Sequence, residues 1–219
     1  MKNIVVILLV GLCKASVTAE NYKPTVIAFG ACAHENKPQP IWDAIVNAKP
    51  DLFIFAGDNI YADTEDMEIM KAKYAKLAAQ PGYKSLLETC PVLATWDDHD
   101  FGVNDGGKHY SMKKESAKVF LDFFGVPKSD PRRSRDGIYA SQIFGPKGRK
   151  VQIILLDTRY FRDDLEKYKN GESKPKDIVG WYKPTKDTSR TMLGEAQWTW
   201  LEEELGKPAE VRIIVSSIQ

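Results

Sequence analysis

Two short acidic segments concentrate the residues of this chain that can do chemistry: Gly57-Asp58-Asn59-Ile60-Tyr61-Ala62-Asp63 and Ala94-Thr95-Trp96-Asp97-Asp98-His99-Asp100-Phe101. Each follows a short apolar run that reads as a buried strand, so both segments deliver acidic groups to one edge of one sheet. That is an arrangement for holding metal. A carboxylate just after a strand can bridge two cations about 3.5–4 Å apart, and such a pair activates water and clamps a phosphoryl group during in-line displacement. Asp58 is the candidate bridge. His99 has the residue type for proton transfer near neutral pH. Arg159 can pin a phosphate bidentately, and equally can pair with Asp157 or Asp163. Asn104 and Asp105 read as turn formers ahead of Gly106-Gly107, within reach of a substrate. Asp58 itself also suits a turn, Asp97 and Asp100 suit helix caps, and Tyr61 suits a core.

The elements that must position these groups are legible as periodic patterns. Thr25–Phe29, Leu52–Phe55 and Val92–Trp96 are β-branched and aromatic runs of strand length, the first two closed by Gly30 and Gly57. Between the first two, residues 40–46 space their apolar side chains at helical intervals and stop before Pro50, giving a strand–helix–strand unit. A polar helix is expected over Asp66–Ala79, ended by Pro81-Gly82. Another runs from an N-cap at Ser111 to Phe124, stopped by Gly125, with Ala117, Phe120, Leu121 and Phe124 buried. Ile138–Phe144 and Lys150–Leu156 flank Pro146-Lys147-Gly148 as a hairpin. Asp163–Arg190 is a Lys-rich surface excursion. Leu193–Leu205 is helical with Trp198 and Leu201 toward the core, and Val211–Gln219 is a buried strand whose position at the terminus suggests an incomplete domain. Strands alternating with helices make this an α/β chain. In such sheets ligands bind beyond the carboxyl ends of the strands, where Cys32, Asp58 and Asp98 fall.

Composition bounds the rest. The 219 residues, 43% hydrophobic and 11% aromatic, suffice for one large domain or part of a bigger one. Lys+Arg 31 against Asp+Glu 30 gives no argument for a nucleic-acid surface or an anionic membrane partner. Lys2, the apolar run Ile4–Cys13 and the small residues Val17-Thr18-Ala19 read as a signal peptide over residues 1–19, so the chain is expected to be secreted or periplasmic, with its mature part over 20–219. The apolar run falls short of the ~20 residues of a membrane span, and none is expected after cleavage. Cys32 and Cys90 then remain, and in an exported chain a disulfide between them is the plain expectation.

Taken in order, Gly30-Ala31-Cys32, Gly57-Asp58-Asn59-Ile60-Tyr61, Trp96-Asp97-Asp98-His99-Asp100 and Leu156-Asp157-Thr158-Arg159 resemble the motifs of alkaline phosphatase D-like metallophosphatases, within the calcineurin-like metallophosphoesterases. The resemblance spans Thr25 to Gln219. It implies a partial α/β/β/α sandwich with mixed sheets, incomplete at the C-terminus, as the N-terminal portion of a catalytic domain. It also implies export and hydrolysis of small phosphate esters by a metal-bound hydroxide attacking phosphorus in line. The implied centre holds iron with calcium or another divalent metal. Carried over, it makes Asp58 the bridge, Cys32 a thiolate and Tyr61 a phenolate on iron, and Asp98 a ligand of the second metal, where the superfamily has the asparagine of Gly-Asn-His. His99 then faces the substrate and protonates the leaving alkoxide or holds the phosphoryl group, with Asn104 and Arg159 beside it. A Cys32 thiolate conflicts with the disulfide reading. Relatives continue beyond position 219 and supply further histidine and aspartate ligands, whereas the three histidines here all precede position 110. The alternatives are a phosphodiesterase of phospholipase D type and an inactive remnant that binds metal or phosphate without turnover. His34 and His109 receive no role.

Overall fold

Successive side chains of a strand point to opposite faces, so the unbroken apolar run of β2 (Leu52–Ala56) must be covered on both sides. Phe53 and Phe55 pack into one cluster with Trp42, Met70, Tyr74 and Tyr83, whereas Leu52 and Ile54 meet Phe144, Ile153, Leu155 and Val215 in a second. The computed structural model, which describes residues 22–218, resolves this requirement into four layers. β2 is the middle of a parallel sheet, flanked by β1 (Ile27–Gly30) and β3 (Val92–Thr95). Its outer face carries α1 (Ile41–Asn47), α2 (Met67–Ala79), α3 (Pro81–Thr89) and α5 (Lys113–Phe123), while the one-turn α4 (Asp98–Phe101) follows β3 directly. The inner face packs on a mixed sheet ordered β4 (Ala140–Phe144), β5 (Val151–Leu155), β6 (Val211–Val215), with β4 antiparallel and β6 parallel to β5. On the far side of β5, Ile154 and Leu156 pack against Leu193 and Leu201 in and before α6 (Gly194–Leu205). This is the mixed α/β sandwich expected from the sequence.

Several local expectations are corrected. β1 starts at Ile27, because the N–H groups of Thr25 and Val26 donate instead to the Asp51 carboxylate at 2.7 and 2.9 Å. Pro81-Gly82 opens α3 as well as ending α2: proline at the first helical position gives up an N–H that has no partner there, and the space a Cβ on Gly82 would take is filled by Trp42, 2.4 Å away. Ser111 is not the N-cap of α5. Met112 holds that position, and the Ser111 hydroxyl donates to Glu65 at 3.0 Å. Trp198 does not face the core and is 50% exposed. The inward side of α6 is set by Gln197, which takes the N–H of Asp157 at 2.9 Å and donates to its carbonyl at 2.8 Å, so the next residue is turned away by about 100°. β6, which pairs with β5 alone among the described residues, is half-exposed at Val211 and Ile214 rather than buried throughout. Asp163–Arg190 forms neither helix nor strand beyond a bridge between Lys167 and Tyr182, as expected for an excursion. The segment read as a signal peptide lies outside the described residues. Among the described residues, no helix is long and apolar enough to cross a membrane.

Candidate metal centre

Because β1, β2 and β3 run parallel, the loops that leave them gather at one edge, and there the chain takes unusual backbone conformations. Cys32, Asp58, Asp63 and Asp105 have φ of 61°, 52°, 44° and 57°, in the left-handed region that costs an L-residue about 1–2 kcal/mol. Aspartate tolerates it best, through local hydrogen bonds of its short side chain. Gly57, at φ 120°, packs so closely that a Cβ would lie 2.7 Å from that of Asp97 and 2.9 Å from that of Ser217. The contacts that hold these loops are polar. Cys32 and Ala33 donate to the carbonyls of Gly57 and Asp58 at 3.1 and 2.8 Å, and Ala62 donates to that of His99 at 3.0 Å. Asn59 Nδ2 bridges the Asp100 carboxylate (2.6 Å) and the Thr95 carbonyl (2.9 Å), while Asp100 also takes the Asp97 N–H at 2.7 Å as half of a capping box.

On this frame, ligating atoms of Asp58, Asp98 and His99 lie within 4.8 Å of one another. Cys32 Sγ is 3.5 Å from Asp58 Oδ2, and the Tyr61 hydroxyl engages both Cys32 and Asp58. The Tyr61 ring centroid is 4.3 Å from that of His99. His99 Nδ1 is 2.7 Å from Asp63 Oδ2, which leaves Nε2 for a ligand or a proton. Asp98 Oδ2 accepts the Asp105 N–H at 2.6 Å, and its Oδ1 is 3.5 Å from Arg159. Burial, then the charge of Asp98, pushes the Asp58 carboxyl above the ordinary range. Burial also raises the Cys32 thiol and the Tyr61 phenol, with Asp58 adding to both. The site thus holds a thiol and a phenol in their neutral forms beside crowded carboxylates, a balance that a multivalent cation would reverse by favouring the thiolate and phenolate, and the donor set fits one.

Cys32, Asp58, Tyr61, Asp98 and His99 are therefore brought together, as the sequence implied. Arg159 also arrives, but its partner is neither Asp157 nor Asp163: Nε and Nη2 both lie 2.6 Å from Asp97 Oδ1. Asp157 is occupied by Trp96 Nε1 and the N–H groups of Ile138, Arg159 and Tyr160, and Asp163 by Lys108. Asn104 is exposed and makes no side-chain hydrogen bond among the described residues. The Cys32–Cys90 disulfide is not formed. Cys32 stands at the site, whereas Cys90 is buried at the end of α3. The sequence reading missed Asp63, whose signal was its place in the same acidic loop, and His34, which stacks on Tyr61 at 4.7 Å. It also missed Ser217, bonded to Thr158 at 2.7 Å and in contact with Asp97.

The fold is a four-layer α/β sandwich whose parallel strands converge carboxylate, thiol, phenol and imidazole, donors of the kinds that can hold a cation, at one edge. The chain belongs to the PhoD-like phosphatase family, whose family model matches residues 27–218. It is similar to alkaline phosphatase D of Bacillus subtilis (strain 168), with 23% identity over 218 residues, covering 85% of this chain and 36% of the relative. Among solved structures it is similar to one described as the structure of PhoD, with a TM-score of 0.66 and 19% identity over 88% of this chain and 41% of the other. The chain thus spans well under half the length of either.

Proposed function

We propose that residues 20–219 are the N-terminal portion of the catalytic domain of an exported, metal-dependent phosphoesterase acting on small phosphate esters. The observation that carries this reading is the convergence of Cys32, Asp58, Tyr61, Asp98 and His99 at the carboxyl edge of β1–β3. Cys32 and Tyr61 would hold iron, Asp98 calcium or another divalent ion, and Asp58 both. When bound, such ions supply Lewis acidity and an activated water for in-line attack at phosphorus. His99, oriented through Nδ1 by Asp63, presents Nε2 to carry a proton to the leaving oxygen. Arg159 spends Nε and Nη2 on Asp97, holding the loop that bears Asp98. Its Nη1, with a 3.4 Å contact to the Gly106 carbonyl, is the atom left for a phosphate oxygen. Asn104, exposed and next to Asp105, whose N–H reaches Asp98, would offer its amide to substrate.

A second reading, binding of metal or phosphate without turnover, is favoured by one observation. Calcium takes 6–8 oxygen ligands, whereas the cluster among the described residues offers the carboxylates of Asp58 and Asp98 together with His99. Loading with ferric iron and calcium, elemental analysis, and release of an aryl alcohol from an aryl phosphate monoester and a bis-aryl diester separate these readings. Bound iron with monoester hydrolysis above a chelated control is the expected result. Hydrolysis of the diester alone assigns a phosphodiesterase, iron without hydrolysis assigns the binding role, and a chain that retains no metal and binds no inorganic phosphate refutes both.

A further inference from the structure

Glu35 is a buried carboxylate on a loop, a placement that is costly unless the charge is paired and hydrogen-bonded. Its partners converge on one residue of the candidate centre. Glu35 Oε2 accepts the backbone N–H of Tyr61 at 3.0 Å, and Oε1 lies 3.3 Å from Lys73 Nζ. The same Lys73 ammonium donates to the backbone carbonyl of Tyr61. One ion pair therefore holds both polar backbone groups of Tyr61.

The grip comes from a single face of α2. Lys73, Lys76 and Gln80 follow one another at spacings of three and four along the helix into its C-cap, so they point the same way. Lys76 donates to Asn36 Oδ1 at 2.7 Å, Gln80 to the Glu35 carbonyl at 3.2 Å, and Asn36 to Glu35 Oε1 at 2.7 Å. The Tyr61 ring is bounded as well, between His34 at 4.7 Å and 20° and His99 at 4.3 Å and 36°. Burial works against the Glu35 charge, but the Tyr61 N–H, its own N–H and Lys73 outweigh it and hold the carboxyl below the ordinary range.

We propose that Glu35, locked by Lys73, is a positioning residue that fixes the Tyr61 phenol against Cys32 and Asp58, with His34 walling the ring. The proposal rests on the metal-centre reading above and deepens it. A ligand held to within a few tenths of an ångström by such outer contacts typically loses ~10–100-fold in metal affinity when they are removed.

The test uses the full chain loaded with ferric iron, and reads the visible phenolate-to-iron charge-transfer absorption and iron affinity by chelator competition. Circular dichroism reports folding. Glu35→Gln keeps an oxygen for the Tyr61 N–H but removes the ion pair; Lys73→Met removes it from the half-exposed side; Lys73→Arg keeps a cation there. Glu35→Gln and Lys73→Met should weaken or shift the absorption and bind iron ~10–100-fold more weakly with the fold retained, while Lys73→Arg keeps most of both. Should Glu35→Gln fail to fold, Lys73→Met decides alone. A wild-type absorption that Tyr61→Phe abolishes but these variants leave unchanged, with unchanged affinity, overturns the positioning role only. A wild type without an absorption sensitive to Tyr61→Phe overturns Tyr61 as a ligand, and this proposal with it.

Discussion

Replacing Asp58 with asparagine is expected to stabilise the metal-free protein and to weaken the metal-loaded one. The ligating oxygens of Asp58 and Asp98 lie within 4.8 Å of each other, and both residues are buried. Two unit charges at that separation repel by ~3 kcal/mol at an effective dielectric of ~20, and by under ~1 kcal/mol in water. Arg159, 3.5 Å from Asp98, cancels part of this, so a net relief of ~1–2 kcal/mol is expected, worth roughly 2–8 °C in Tm for a chain of this size. The sign with pH follows from the raised carboxyl of Asp58, caused first by burial and then by Asp98. A group whose folded pKa exceeds its unfolded value contributes stability below the ordinary carboxylate pKa of ~4 and loses it as pH rises through the folded value. The gap between variant and wild type should therefore be open at pH ~7.5 and should close toward pH ~4. Adding metal at a hundredfold excess over Kd stabilises the wild type by ~2.7 kcal/mol, a gain the variant should largely lack, so the ranking inverts. Thermal melts with chelator and then with ferric iron and calcium, at both pH values, test each limb. A variant less stable than wild type under chelator would show Asp58 to be a structural acceptor for the His99 N–H, 3.4 Å away. Equal stabilisation of both proteins by metal would refute the bridging role.

Two further substitutions probe the frame. Gly57→Ala places a Cβ at φ 120° against Asp97 and Ser217, and strain plus overpacking should cost ~3 kcal/mol in urea unfolding and displace metal; a loss under ~1 kcal/mol with metal retained would contradict the packing argument. Arg159→Met strands the partly buried Asp97 carboxylate, whose pKa burial already raises against the pull of Arg159, so a loss of ~2–3 kcal/mol at pH ~7 should shrink on acidification toward pH ~5, and a pH-independent loss would mean that packing rather than charge holds the arginine.

The strands and the acidic site were legible because their signals are local. Leu52–Phe55 is apolar at every position, so it reads as covered on both faces, and a glycine followed by an aspartate marks where the loop begins. The convergence of Asp58 and Asp98 then follows from two parallel neighbours ending at one edge. What was not legible depends on partners distant in sequence. Trp198 looked like the core residue of α6 by its size, yet Gln197 takes the inward place because Asp157 at the end of β5 presents a backbone N–H and a carbonyl there. Arg159 had acidic neighbours on either side in sequence, but Asp157 is saturated by Trp96 and three N–H groups, and the charge left over is Asp97 across the sheet edge. The expected export pointed to a Cys32–Cys90 disulfide and the motif resemblance to a Cys32 thiolate, and the fold sends one thiol to the site and the other into the helix layer.

The same edge carries two kinds of stored cost, and they argue in one direction. Four of the five non-glycine residues with positive φ among the described residues, Cys32, Asp58, Asp63 and Asp105, lie in its loops. Three are aspartates, for which the left-handed conformation is cheapest, but Cys32 has no such excuse and is held there by the hydrogen bond from its N–H to Gly57. Backbone strain of ~1–3 kcal/mol per residue persists only where the surroundings over-determine it, here the Asn59–Asp100 contact and the Gly57 packing. Charge crowding at Asp58 adds to that strain, and the energy of both must be supplied by the sandwich core. A structural turn would relax either cost by a single substitution without loss. A site that gathers anions about a cation cannot, because the conformations that strain the backbone are those that bring Cys32, Asp58 and His99 to one point. Among the buried parts of the described residues, the metal-free edge should accordingly open in native-state hydrogen exchange at a lower free energy than β2 and β5, and cation binding should close that gap.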